Sequence, residues 1–151
     1  MLECTYKLNG KLESRFKVGN QSFLAFSGFE ENINQKSKQC TPNSGPIPVG
    51  KYYVVDRVSG TLQKMAAYLT QKGDWFALYA VDENIDDYTK CNGITRGQFR
   101  LHPAGDGGIS LGCITVVSTS DYQIIHQILK SQTPVVVTAN GLKAYAIVRV
   151  S

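Results

Sequence analysis

Short runs of alternating apolar and polar residues, broken by Asn-Gly, Gly and Pro turns, fill most of this chain. A period of two is the pattern of half-buried strands. Thr5–Leu8 and Lys11–Phe16 read as strands around Asn9-Gly10, a strong hairpin signal. Gln21–Ser27, with Phe23 and Phe26, continues the pattern. Lys51–Val58 is rich in Tyr and Val, which suit a pleated surface. Asp74–Val81, Gln98–His102 and Ile114–Val117 read as further strands. Pro134–Ala139 and Ala144–Val150 form a second hairpin around Asn140-Gly141. Glu30–Thr41 and Asp82–Gly97 are polar and unpatterned, as loops are, and Pro42–Gly50 is a turn-rich segment stiffened by prolines.

Two stretches change period. Asp121–Ser131 places Tyr122, Ile125, Ile128 and Leu129 on one helical face, with Ser118, Thr119 and Ser120 available as caps. Thr61–Thr70 has Leu62, Met65, Ala66 and Leu69 at helical spacing behind a capping Thr61. No internal repeat, low-complexity tract or linker interrupts the chain. The expectation is one mainly β domain over residues 1–151, with one or two short helices.

The 151 residues suit a single domain, and 42% hydrophobic with 19% charged residues is ordinary for a globular protein. No apolar run is long enough for a membrane span. Met1–Lys7 lacks the basic-then-apolar pattern of a secretory leader, so a role outside the cytoplasm requires another route of export. The net charge of +4 favours an anionic partner. The Lys and Arg residues are scattered, which argues against nucleic acid. Four cysteines occur, none in a CxxC pair, and with two histidines a zinc site is not expected. Cys40 and Cys91, both in polar loop-like sequence, are the favoured disulfide pair; unpaired thiols at Cys4, Cys40 and Cys91 are the alternative.

The chemistry concentrates in Phe99–Thr115, where His102 precedes Cys113 by eleven residues and four glycines lie between them. Glycines let the chain double back, so imidazole and thiol can meet. An imidazole that takes the thiol proton creates a nucleophile for carbonyl carbon. The Gly112 and Cys113 amides are the expected oxyanion donors. Ser110, three residues before the cysteine, is expected to orient the imidazole or the substrate. Arg100 shares a strand face with His102 and offers a forked donor set to a substrate carboxylate. Asp106 reads as a turn residue and His126 as a helix boundary residue. No cofactor or metal is called for by this set.

His102-Pro103 with Ser110-Leu111-Gly112-Cys113 resembles the signature of L,D-transpeptidases. Arg100–Gly105, Ser110–Thr115 and Ser44–Tyr52, with its Gly-Pro-Ile-Pro step, resemble most closely the type VI secretion L,D-transpeptidase effectors. The resemblance runs from about Phe23 to Val117. It implies an L,D-transpeptidase-like β-sandwich. It also implies a toxin that acts on peptidoglycan tetrapeptide stems in the periplasm of a rival cell. Such a toxin cleaves the L,D bond or exchanges the terminal D-alanine for another D-amino acid. The implied partners are a secretion apparatus, which replaces a signal peptide, and a cognate immunity protein. Leu111 and Thr115 depart from the wider family, which usually has His and often Asn or Arg there; Arg100 is the residue that can supply the missing positive charge.

Two other readings use the same residues. A papain-like or amidase-type hydrolase usually places Cys before His, with the cysteine at a helix N-terminus; here the order is reversed and strand-like sequence follows. A wall-binding module would stack Tyr52, Tyr53, Trp75, Tyr79 and Tyr88 on sugars.

Overall fold

A computed structural model describes residues 1–57, 75–105 and 111–151. The helix expected at Thr61–Thr70 lies outside these residues. The strands are β1 (Leu2–Tyr6), β2 (Ser14–Val18), β3 (Gln21–Phe26), β4 (Gly50–Asp56), β5 (Phe76–Ala80), β6 (Tyr88–Cys91), β7 (Ile94–Gly97), β8 (Arg100–Pro103), β9 (Ile114–Val116), β10 (Val135–Val136) and β11 (Lys143–Val150). Among the described residues one α-helix is present, α1 (Thr119–Lys130), and it packs on β8, β9 and β11. The mainly β architecture expected from the sequence is therefore present.

Nine strands form one sheet in the order β1-β2-β3-β9-β8-β5-β4-β11-β10. Strand β1 also pairs in parallel with β11, from Leu2 opposite Ala146 to Tyr6 opposite Val150. The sheet thus curls round and joins its own first strand, which removes the open edge that would otherwise invite aggregation. The inward residues alternate along each strand: Val54 on β4, Phe76 and Leu78 on β5, Leu101 on β8, Ile114 and Val116 on β9. Fully burying one such side chain stabilises the fold by about 1.5–3 kcal/mol. Helix α1 adds Tyr122, Ile125 and Leu129 to this core. Its N-terminus is capped by Ser118, whose side chain accepts from the Asp121 amide.

Two expectations are corrected. Asn9-Gly10 is not a two-residue turn, because Tyr6 pairs with Phe16 and the connection between β1 and β2 is wider. The Leu8 amide donates to the Ser151 carbonyl and the Gly10 amide to Asn34, so these residues serve other partners. Asp82–Gly97 is not all loop: it contains the β6–β7 ribbon, with Cys91 opposite Ile94. Asn92 and Gly93 (φ +50° and +78°) make its tight turn. Cys40 and Cys91 form a disulfide, the favoured pairing, while Cys4 is buried in the core.

Candidate active site

Strands β8 and β9 run parallel, with Leu101 opposite Ile114 and His102 opposite Thr115. A parallel neighbour requires a crossover. The chain leaves β8 at Pro103 and re-enters beside it at Ile114, so the glycine-rich segment does bring the chain back. Successive side chains point to opposite faces. Leu101 and Ile114 therefore enter the core, while His102, Thr115, Arg100 and Cys113 share the other face. Across that face His102 and Cys113 are diagonal neighbours.

The imidazole of His102 is 6% exposed. Its Nδ1 lies 2.7 Å from the Pro103 carbonyl oxygen, which only accepts, so Nδ1 carries the proton and donates. That leaves Nε2 as the basic nitrogen. Nε2 lies 3.4 Å from the Thr115 hydroxyl on β9. Trp75 stacks on the imidazole at 4.2 Å between ring centroids and 18° between planes. The ring is thus held by a carbonyl, a hydroxyl and an indole, and its basic edge faces the strand that carries Cys113.

Cys113 enters β9 through Gly112, whose φ of +106° favours glycine. The Gly112 carbonyl accepts from the Ser27 hydroxyl at 3.4 Å, and that hydroxyl accepts from the Ile47 amide at 2.8 Å. In a trans peptide the N–H points opposite to the C=O. Pinning the Gly112 carbonyl inward on Ser27 therefore aims the Cys113 amide away from the core. The Gly-Pro-Ile-Pro step thus contributes through the Ile47 backbone. The Cys113 thiol donates weakly to the Gln98 carbonyl at 3.9 Å. Burial pushes its pKa above the ordinary thiol value. The Arg100 amide, the Arg100 guanidinium and the Arg96 guanidinium pull in the opposite direction without cancelling the rise.

Arg100 occupies the expected face, but its fork is already engaged: Nη1 and Nη2 bind the two Asp87 carboxylate oxygens at 2.7 and 2.8 Å. Its reading as the carboxylate-binding residue needs that bidentate pair to open. Arg96, unremarked in the sequence, is buried on β7. It donates to the Gln39, Gly45 and Pro46 carbonyls, the last two at 3.0 and 3.1 Å. Its guanidinium also lies over the Phe99 ring. Ser110 and Asp106 lie outside the described residues. His126 is half-buried on α1 between the Phe76 and Tyr122 rings, away from the β8–β9 face. Among the aromatics considered for sugar stacking, Tyr52 is buried and hydrogen-bonded to the Pro48 carbonyl. No group of three or more His, Cys, Asp or Glu residues among those described is placed to hold a metal.

The sequence signal for Cys113 and His102 lay in residue type and spacing. The roles of Thr115, Trp75 and Ser27 depend on strand register, which spacing does not reveal.

The Tlde1 domain family matches residues 21–140, well over half of the chain. The chain belongs to this family, the type VI secretion effectors of L,D-transpeptidase type. No curated protein and no solved structure matches it. Strands β1 and β11, which lie outside the matched span on either side, pair with each other and close the sheet that carries the site.

Proposed function

We propose that this effector acts on peptidoglycan tetrapeptide stems as an L,D-carboxypeptidase, an L,D-transpeptidase or both, through a thioester on Cys113. The reading rests on family membership together with one geometric observation: His102 Nε2 faces β9 on the sheet face that carries Cys113. The sulfur attacks the carbonyl carbon of the meso-diaminopimelate residue as its proton passes to His102 Nε2. The negative charge that forms on oxygen is met by the Gly112–Cys113 backbone; one well-aimed amide donor lowers the barrier by about 3 kcal/mol. The C–N bond breaks and His102 returns the proton to the departing D-alanine amine. Water then hydrolyses the thioester to a tripeptide, or a D-amino acid amine takes the acyl group in exchange. Ser110 orients the imidazole or the substrate. Both outcomes remove donors for cross-linking in the periplasm of the target cell, to which a secretion apparatus delivers the protein. A cognate immunity protein protects the producer.

The test is incubation with purified tetrapeptide muropeptides, with and without a foreign D-amino acid, read by mass spectrometry. Loss of D-alanine, or its replacement, is expected. Cys113→Ala is expected to fold and to lose at least about a thousand-fold in rate. Retention of D-alanine release by that variant overturns the reading, and release of whole stems assigns an amidase instead.

A further inference from the structure

The site face continues past His102 in a straight row across the sheet. Strand β4 pairs with β5 down to Asp56 opposite Phe76, which brings Arg57 opposite Trp75. Strand β5 pairs with β8 at Phe76 opposite Leu101, which brings Trp75 opposite His102. The side chains meet as this register requires. The Arg57 guanidinium carbon lies over the Trp75 ring at 5.4 Å, and that ring stacks on His102. Across four strands the order is therefore Arg57, Trp75, His102, Thr115, with Cys113 two residues before Thr115.

Two guanidiniums, Arg57 and Arg100, serve this face. Arg100 is satisfied by both oxygens of Asp87. Arg57 is half-buried, and among the described residues its guanidinium lies over the indole with no ion pair or hydrogen bond shown to it. Partial burial, and after it the nearby Arg100 charge, disfavour its charged form against a weaker opposing pull from Tyr122, and an incoming anion would relieve this.

The direction of the row matches the bond order of the reaction. A scissile bond held between Cys113 and His102 places the acyl carbon at the sulfur and the leaving nitrogen at the imidazole. The rest of the leaving group then extends beyond His102, over Trp75, and its far end is a carboxylate. We propose that Arg57 binds the free terminal carboxylate of the departing D-amino acid, which makes it the residue that restricts this site to stems ending one residue beyond the attacked carbonyl. The proposal rests on the reading of Cys113 and His102 given above. The same contact receives the carboxylate of an incoming D-amino acid in exchange. A pentapeptide, whose carboxylate lies one residue further out, misses it.

Two measurements test this. The first compares wild type, Arg57→Gln and Arg57→Lys on a tetrapeptide stem and on the same stem with its terminus amidated. Wild type is expected to prefer the acid over the amide by at least tenfold in kcat/KM. Arg57→Gln is expected to lose that preference by a rise in KM for the acid alone, and Arg57→Lys to keep part of it. Equal losses by Arg57→Gln on acid and amide overturn the proposal. The second needs no turnover: Cys113 is alkylated with iodoacetate and with iodoacetamide. The anionic reagent is expected to lose several-fold relative to the neutral one in Arg57→Gln, and an unchanged ratio overturns the proposal. Inactivity of wild type on both stems instead removes the functional reading, and the alkylation ratio then decides whether the guanidinium draws anions to this thiol.

Discussion

Cys4 and Cys113 both lie outside the disulfide, and burial acts on both thiols. At Cys113 the Arg100 amide and two guanidinium charges oppose it. At Cys4, fully enclosed in the core, burial stands alone and pushes the pKa up to about 12 from an ordinary value near 9. The folded chain holds that proton through a range where the unfolded chain releases it. The stabilisation is complete below about pH 9 and is lost as pH rises toward 12, by up to about 4 kcal/mol in all. Urea unfolding at pH 8 and pH 10.5 is expected to show a smaller alkaline loss in Cys4→Ala than in wild type, by about 2 kcal/mol. Equal losses would mean that the folded thiol ionises as readily as an exposed one. At this scale the sequence was most legible where residue type carries the chemistry. The cysteine proposed to attack and the histidine proposed to take its proton stand out by type and spacing. Arg57 and Trp75 did not, because what they do depends on meeting His102 across strands far apart in the chain.

Among the elements, the legible ones had a strong period and a buried face. Helix α1 and strands β3, β4 and β11 fall close to their expected places. The ribbon β6–β7 reads as loop because its residues are mostly polar and its one buried residue is the charged Arg96, so no apolar alternation marks it. Its Asn-Gly turn was the one available signal. That ribbon supplies Arg96, which sits against the turn into β9. A Cβ at Gly112 would stand 2.6 Å from Arg96 Nη2 and 3.0 Å from the Phe99 ring. It would also sit at a φ of +106° that side chains rarely adopt. Gly112→Ala is expected to cost about 2–4 kcal/mol in urea unfolding, from backbone strain and overpacking together. It should also slow acylation by moving the Cys113 amide. A variant as stable and active as wild type would show that the turn has room to relax.

For the molecule as a whole, the sheet is closed by β1 on β11, while the β6–β7 ribbon pairs outside that sheet and needs its own attachment. Three ties provide it. Arg96 holds the carbonyls of Gln39, Gly45 and Pro46; Asp87 holds Arg100; and Cys91 is bonded to Cys40, which adjoins Gln39. Two of the three grip the same loop, so the ribbon and the Gly-Pro-Ile-Pro segment are fixed against each other. Through Arg96 and Ser27, both then bear on Gly112. The covalent tie spans 51 residues of sequence. Closing a loop of that length in the unfolded chain removes enough entropy to stabilise the fold by about 4 kcal/mol. Replacing Cys40 and Cys91 together by Ser is therefore expected to lower unfolding stability by about 2–4 kcal/mol, since native geometry returns part of the gain. The core of the closed sheet, which contains neither cysteine, should keep its secondary structure, whereas Cys113 alkylation should change because the support of Gly112 has loosened. Unfolding of the double variant at the wild-type urea midpoint would mean that the Arg96 and Asp87 contacts alone hold the ribbon in place.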